Sequence, residues 1–157
     1  MKTLKVMLFT VFTIFLTVSL SMAAAQGVFT TKLSGKEVVP AVETKAMGEA
    51  DFTLSKDGKE LTYILKLMDI ENVSAAHIHT GVAGKNGGPV AGLFAGPKKG
   101  GMFSGELAKG TITDKDLIGP LAGKTIGDLV KLIKDGGAYV NVHTDKYPDG
   151  EVRGQIK

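Results

Sequence analysis

The feature that most constrains this chain is a run of strict alternation broken by a single turn. Ala50, Phe52 and Leu54 alternate with Asp51, Thr53 and Ser55, then comes Asp57-Gly58, and then Leu61, Tyr63, Leu65 and Leu67 alternate again. Strand side chains point to opposite faces with a period of two, so two such runs around an Asp-Gly dipeptide specify a β-hairpin. Shorter β segments are expected at 29–33, 73–79, 90–94, 103–112, 138–144 and 152–156. The 21 glycines punctuate them most densely between 81 and 101, where turns and irregular loops are expected. One stretch changes period: after Thr125, the residues Ile126, Leu129, Val130, Leu132 and Ile133 recur at helical spacing. Thr125 and Asp128 frame that helix as a capping box, Gly136 is a suitable left-handed cap, and 113–118 is expected to form a shorter turn before it. The fold class predicted is all-β, an antiparallel Greek-key-like sandwich or barrel with one short amphipathic helix. No internal repeat or linker divides the chain.

The amino terminus has the three zones of an export signal. Lys2 and Lys5 precede an apolar run from Val6 to Leu20, and Ala23-Ala24-Ala25 then gives the small residues that signal peptidase requires. The run is about 15 residues, short against the roughly 20 needed to span a bilayer. Residues 1–25 are therefore expected to be a signal peptide cleaved after Ala25, which places residues 26–157 outside the cytoplasm, secreted or periplasmic, with no membrane association after cleavage. Of 19 basic and 16 acidic side chains, Lys2 and Lys5 leave with the signal, so the working protein is nearly neutral despite a sequence pI of about 9.0. Arg153 is the only arginine, and nucleic acid is not expected as a partner. The absence of cysteine excludes thiol catalysis and leaves any metal to nitrogen and oxygen ligands.

Three histidines carry the one constellation with evident chemistry. His77 and His79 flank Ile78; on a strand they project from one face, about 6.6 Å apart along the chain, and can lean onto a single ion. In the segment 138–144, Ala138, Val140 and Val142 form the core-facing set, leaving Tyr139, Asn141, His143 and, by continued alternation, Asp145 on the other side. If this strand neighbours the first, His77, His79 and His143 meet on one surface, with Asp145 as a fourth ligand or as a carboxylate that orients one. The competing reading is that these are polar side chains facing water or joined in a polar network. Glu151 and Arg153, alternating around Val152, read as a solvated edge or an ion pair. Ser34, Ser74 and Ser104 have no evident base partner, and the glycines at 81–88 include no Gly-Lys-Ser/Thr phosphate loop.

The segments LSGKEVVP at 33–40, AHIHTG at 76–81, YVNVHT at 139–144 and PDGEVRGQI at 148–156 resemble the CHRD domain, the module named from chordin and also found as single secreted microbial domains. The resemblance spans nearly all of 29–156. It implies a secreted β architecture and makes the histidines part of the family's motif, while implying no settled activity. An HxH on such a strand also invites comparison with copper–zinc superoxide dismutase. That binuclear site needs more histidines and a disulfide, which this chain lacks. The function expected is binding of a single copper or zinc ion through His77, His79 and His143. Imidazole must be neutral to coordinate, so affinity should weaken below about pH 6.5. The alternative is a non-catalytic module that engages an extracellular protein partner or a polysaccharide.

Overall fold

A computed structural model describes residues 27–157; the expected signal peptide at 1–25 lies outside them. Seven strands and one helix follow in the order β1 (Val28–Ser34), β2 (Met47–Leu54), β3 (Leu61–Thr80), β4 (Pro89–Phe94), β5 (Lys99–Ile112), α1 (Ile126–Lys134), β6 (Ala138–Thr144) and β7 (Val152–Gln155). The hairpin read from the sequence is β2–β3, antiparallel from Met47↔Met68 to Leu54↔Leu61. All the other expected strands are present within a few residues.

The difference from expectation is that 61–67 and 73–79 are not separate strands but the two halves of the 20-residue β3. Its first half pairs with β2 and β5, and its second half with β6 and β4. The pairings β1–β2, β2–β3, β3–β6, β6–β7 and β7–β1 close a five-stranded ring in which every pair is antiparallel. An odd ring of antiparallel pairs cannot close if every strand keeps one direction. The ladders of β3 shift register between Leu67 and Ile70 and again between Glu71 and Val73. Here Asp69 and Asn72 adopt positive φ of 53° and 54°, a conformation that side-chain sterics disfavour for residues other than glycine. Asn72 is tied down there by accepting a hydrogen bond through Oδ1 from the Gly101 N–H at 2.9 Å. Such irregularities bend a strand and increase its twist, so this stretch lets β3 pass from one side of the barrel to the other.

The core is continuous through the ring and under the helix. Phe52, Leu61, Leu65, Ile70, Val73, Ala76 and Ile78 are sealed from solvent, as are Val140, Val142 and Val152 on β6 and β7. Helix α1 is capped as its sequence predicts: the Thr125 side chain accepts from the Asp128 N–H, while Asp128 accepts from the Thr125 N–H. Gly136 ends it at φ 70°, and Ile126, Leu129, Val130 and Ile133 are buried. The turn expected at 113–118 is a short 3-10 helix at Asp114–Asp116, followed by a second at Gly119–Leu121. Among the described residues no helix is long and apolar enough to cross a membrane.

Ile78 is fully buried on the core side of the strand segment whose other side carries His77 and His79. Ile78→Ala is expected to cost about 2–5 kcal/mol of unfolding free energy, the usual range for emptying a packed aliphatic site. Urea denaturation checks it, and a loss below about 1 kcal/mol would show that this side of the strand is not packed as described.

Candidate metal centre

Strand pairing assembles the site. The β3–β6 register sets Ala75 opposite His143, His77 opposite Asn141 and His79 opposite Tyr139, which places all three histidines on one face of two adjacent strands. The ring centroids lie 5.3 Å apart for His77–His143, 5.7 Å for His77–His79 and 5.8 Å for His79–His143. One ring nitrogen from each histidine lies within 4.8 Å of the others. Ala76 and Ile78 point to the core, as the alternation requires.

Two backbone carbonyls decide which nitrogens are free. His79 Nδ1 lies 2.9 Å from the Gly87 carbonyl and His143 Nδ1 lies 2.8 Å from the Pro148 carbonyl. A carbonyl accepts only, so in both rings the proton sits on Nδ1 and the Nε2 lone pair is left bare. Both of those Nε2 atoms, together with His77 Nδ1, are buried without any hydrogen-bond partner. Buried polar atoms are ordinarily paired, and three unpaired ring nitrogens in rings this close are the donor set that a cation completes. Metal-bound histidines commonly donate their second ring N–H to such a carbonyl. His77, His79 and His143 can therefore hold a metal ion.

The loop at 81–88 and the turn at 144–150 bring up these carbonyls. Gly87 packs so closely on the Thr80 carbonyl that a Cβ there would overlap it; only glycine lets the chain pass and aim its own carbonyl at His79. At the other end, Tyr147 N–H donates to Thr144 Oγ1 and Gly150 N–H to the Tyr147 carbonyl, which folds the chain so that Pro148 faces His143.

Asp145 is not brought into the group. Strand β6 ends at Thr144, so the alternation that carries His143 onto the site's face does not extend to residue 145. The Asp145 side chain is exposed and pairs with Lys98. The reading of Glu151 and Arg153 as a solvated edge or an ion pair also fails. Both are buried, at 7% and 2% exposure, and each is held by neutral groups rather than by the other. The Glu151 carboxylate accepts from Thr44 and Thr144, and the Arg153 guanidinium donates to Asn86, Val82 and Lys85. Tyr139 and Asn141, expected only as outward-facing residues, are buried as well, because the same loop and turn cover that side of β6. The one available sign was that Arg153 is the chain's single arginine.

A family model described as the CHRD domain matches residues 29–156. The chain belongs to the CHRD-domain family. Neither the comparison with curated proteins nor that with solved structures gives a match. The CHRD match covers the whole barrel, both strands that carry the histidines and the strand that follows them.

Burial sets the electrostatics of this CHRD site. The His77 imidazole is pushed down from its ordinary 6.5 to about 4, first by desolvation and then by His143 and His79 beside it. His79 is also lowered, chiefly by desolvation, with His143 and Arg153 adding to the effect against the opposing bond to Gly87. In the folded protein both rings stay neutral where an unfolded imidazole would take a proton, so below about pH 6.5 protons bind the unfolded chain preferentially. The stability these rings contribute is complete above that value and is lost progressively as pH falls toward about 4. The urea midpoint of metal-free protein should therefore drop between about pH 7 and about pH 4.5, and His77→Asn should make that drop shallower. An equal pH dependence in both proteins would show that His77 is not held neutral by the fold.

Proposed function

We propose that this protein is an exported CHRD domain that binds one copper or zinc ion through His77 Nδ1, His79 Nε2 and His143 Nε2. The observation that carries the reading is that three buried, unpartnered imidazole nitrogens converge, two of them with their tautomers fixed from behind by carbonyls. Imidazole suits both ions, and copper(II) is the tighter binder by the intrinsic order of divalent metals. Three protein ligands leave a fourth position for water or an exogenous ligand, the arrangement found where an ion takes part in chemistry rather than serving only as a staple. The export sequence at 1–25 supports placement outside the cytoplasm.

The depressed imidazoles alter the pH behaviour expected from an ordinary histidine. Protons compete with metal only as the rings titrate, so loss of metal from the His77 side should set in nearer pH 4 than 6.5. Calorimetry with copper(II) and with zinc(II) tests the proposal. Wild type is expected to bind one ion. His79→Ala should lose at least the roughly 10–100-fold in affinity that follows even when only a ligand's hydrogen-bond partner is removed. Asp145→Ala should bind as wild type does, since its carboxylate is committed to Lys98. Equally weak binding by wild type and His79→Ala would overturn the assignment.

A further inference from the structure

Strand β7 and the residue just before it present two buried charges that the metal-binding reading leaves without a role. Glu151 and Arg153 flank the core residue Val152, and Arg153 pairs directly with Asn141, on the same face of the sheet as the histidines. Neither forms a salt bridge with any described residue. A buried charge without a counter-ion is costly unless its hydrogen bonds are well satisfied, and the groups that satisfy these two belong, Thr44 apart, to the two segments behind the imidazoles.

Arg153 acts on the loop at 81–88. One guanidinium nitrogen donates to Asn86 Oδ1 at 3.0 Å; the other donates to the Val82 and Lys85 carbonyls at 3.1 and 2.9 Å. Its Cζ lies 3.5 Å from the centroid of the Tyr139 ring. That ring stacks on His79, with centroids 5.2 Å apart and planes 19° from parallel. The Tyr139 hydroxyl accepts from the Gly87 N–H at 3.1 Å and donates to the Gly87 carbonyl at 3.3 Å, the carbonyl that also receives the His79 Nδ1–H. Guanidinium, loop, tyrosine and histidine form one connected unit. Glu151 acts on the turn at 144–150. One carboxylate oxygen accepts from Thr44 Oγ1 and the other from Thr144 Oγ1, each at 2.7 Å. Thr144 Oγ1 accepts in turn from the Tyr147 N–H at 3.2 Å, next to the Pro148 whose carbonyl receives the His143 Nδ1–H.

We propose that Glu151 and Arg153 are the positioning residues of the centre, Arg153 fixing the tautomer of His79 through the Gly87 carbonyl and Glu151 fixing that of His143 through the Pro148 carbonyl. The metal role of those histidines rests on the reading above; the control of their tautomers does not. If a carbonyl moves away, the ring proton is free to shift to Nε2 and occupy the lone pair that faces the other rings. The planar fork that spans three acceptors is particular to arginine, so lysine is not an equivalent substitute.

The test is nitrogen-resolved imidazole NMR on the metal-free protein, comparing wild type with Arg153→Lys, Glu151→Gln and Asn86→Ala. Wild type should show the Nδ1–H tautomer at both His79 and His143. Arg153→Lys should shift His79 toward the other tautomer and leave His143 unchanged; Glu151→Gln should do the reverse. Asn86 lies on the exposed loop, so Asn86→Ala removes one arm of the clamp, together with the amide's bond to the Val39 carbonyl, without altering a barrel residue, and should shift His79 alone if Arg153→Lys does not fold. Movement of both histidines together in either variant, or of neither, overturns the proposal, because a merely structural role would not separate them. Calorimetry with zinc(II) is the second readout, with about 10-fold or greater weakening expected in Arg153→Lys. A wild type that binds no metal yet shows the separated tautomer shifts would sink the metal reading and leave this one standing.

Discussion

The arrangement depends on one register, that between the second half of β3 and β6. Because side chains alternate with a strict period of two, a slip of one residue would turn His77 and His79 away from His143 and force Ile78 into the position they hold. The register is held from the other side of the sheet. Ala76, Ile78, Val140 and Val142 are all sealed in the core, and a slip would expose them. The apolar face of these strands thus fixes the polar face. The bend of β3 at Asp69 and Asn72 belongs to the same constraint, since without it the strand that begins in the hairpin with β2 would not reach β6 on a closing ring.

Register alone would bring three imidazoles together without deciding which nitrogens face inward. That is settled by backbone from outside the sheet. The Gly87 and Pro148 carbonyls come from segments on either side of β6, one before it and one after it in the chain. Each is stiffened by a network ending at a buried charge, Arg153 on β7, the next strand of the barrel, and Glu151 just before it. A rigid scaffold placing ligands and two short irregular segments orienting them is the usual division of labour in binding sites.

Much of this was legible in the sequence, and the unevenness has physical causes. Alternation identified the strands, and helical spacing with a Thr–Asp capping box identified α1, because both patterns are local. The convergence of His77, His79 and His143 needed one non-local assumption, that the two strands are neighbours, and the structure supplies it. The continuity of β3 was hidden because its bend interrupts alternation at 69–72 and so reads as a boundary. Asp145 was misplaced because alternation was extended one residue beyond the strand's end at Thr144. Glu151 and Arg153 were misread for a different reason. Charged residues alternating on a terminal strand usually face water, and only the loop and turn folded over them, which no local pattern announces, make them interior.

The three rings differ in what lies behind them, and this gives the centre a direction. His79 and His143 place a carbonyl behind Nδ1 and leave Nε2 free, whereas His77 turns Nδ1 inward. Its Nε2 has no protein partner among the described residues, yet it is absent from the buried, unpaired atoms, so it reaches solvent. Water both donates and accepts, so solvent at Nε2 does not impose a tautomer on His77 as the carbonyls do on the other two rings. Two of the three inward lone pairs are thereby specified by protein, and His77 is the ring whose tautomer is left to adjust. The side of the centre on which His77 stands is consequently its wet side, and the stack of His79, Tyr139 and Arg153 is its closed back. An ion seated among the three nitrogens would meet fixed dipoles on one side and exchangeable water on the other, so it is on the His77 side that a fourth ligand would enter.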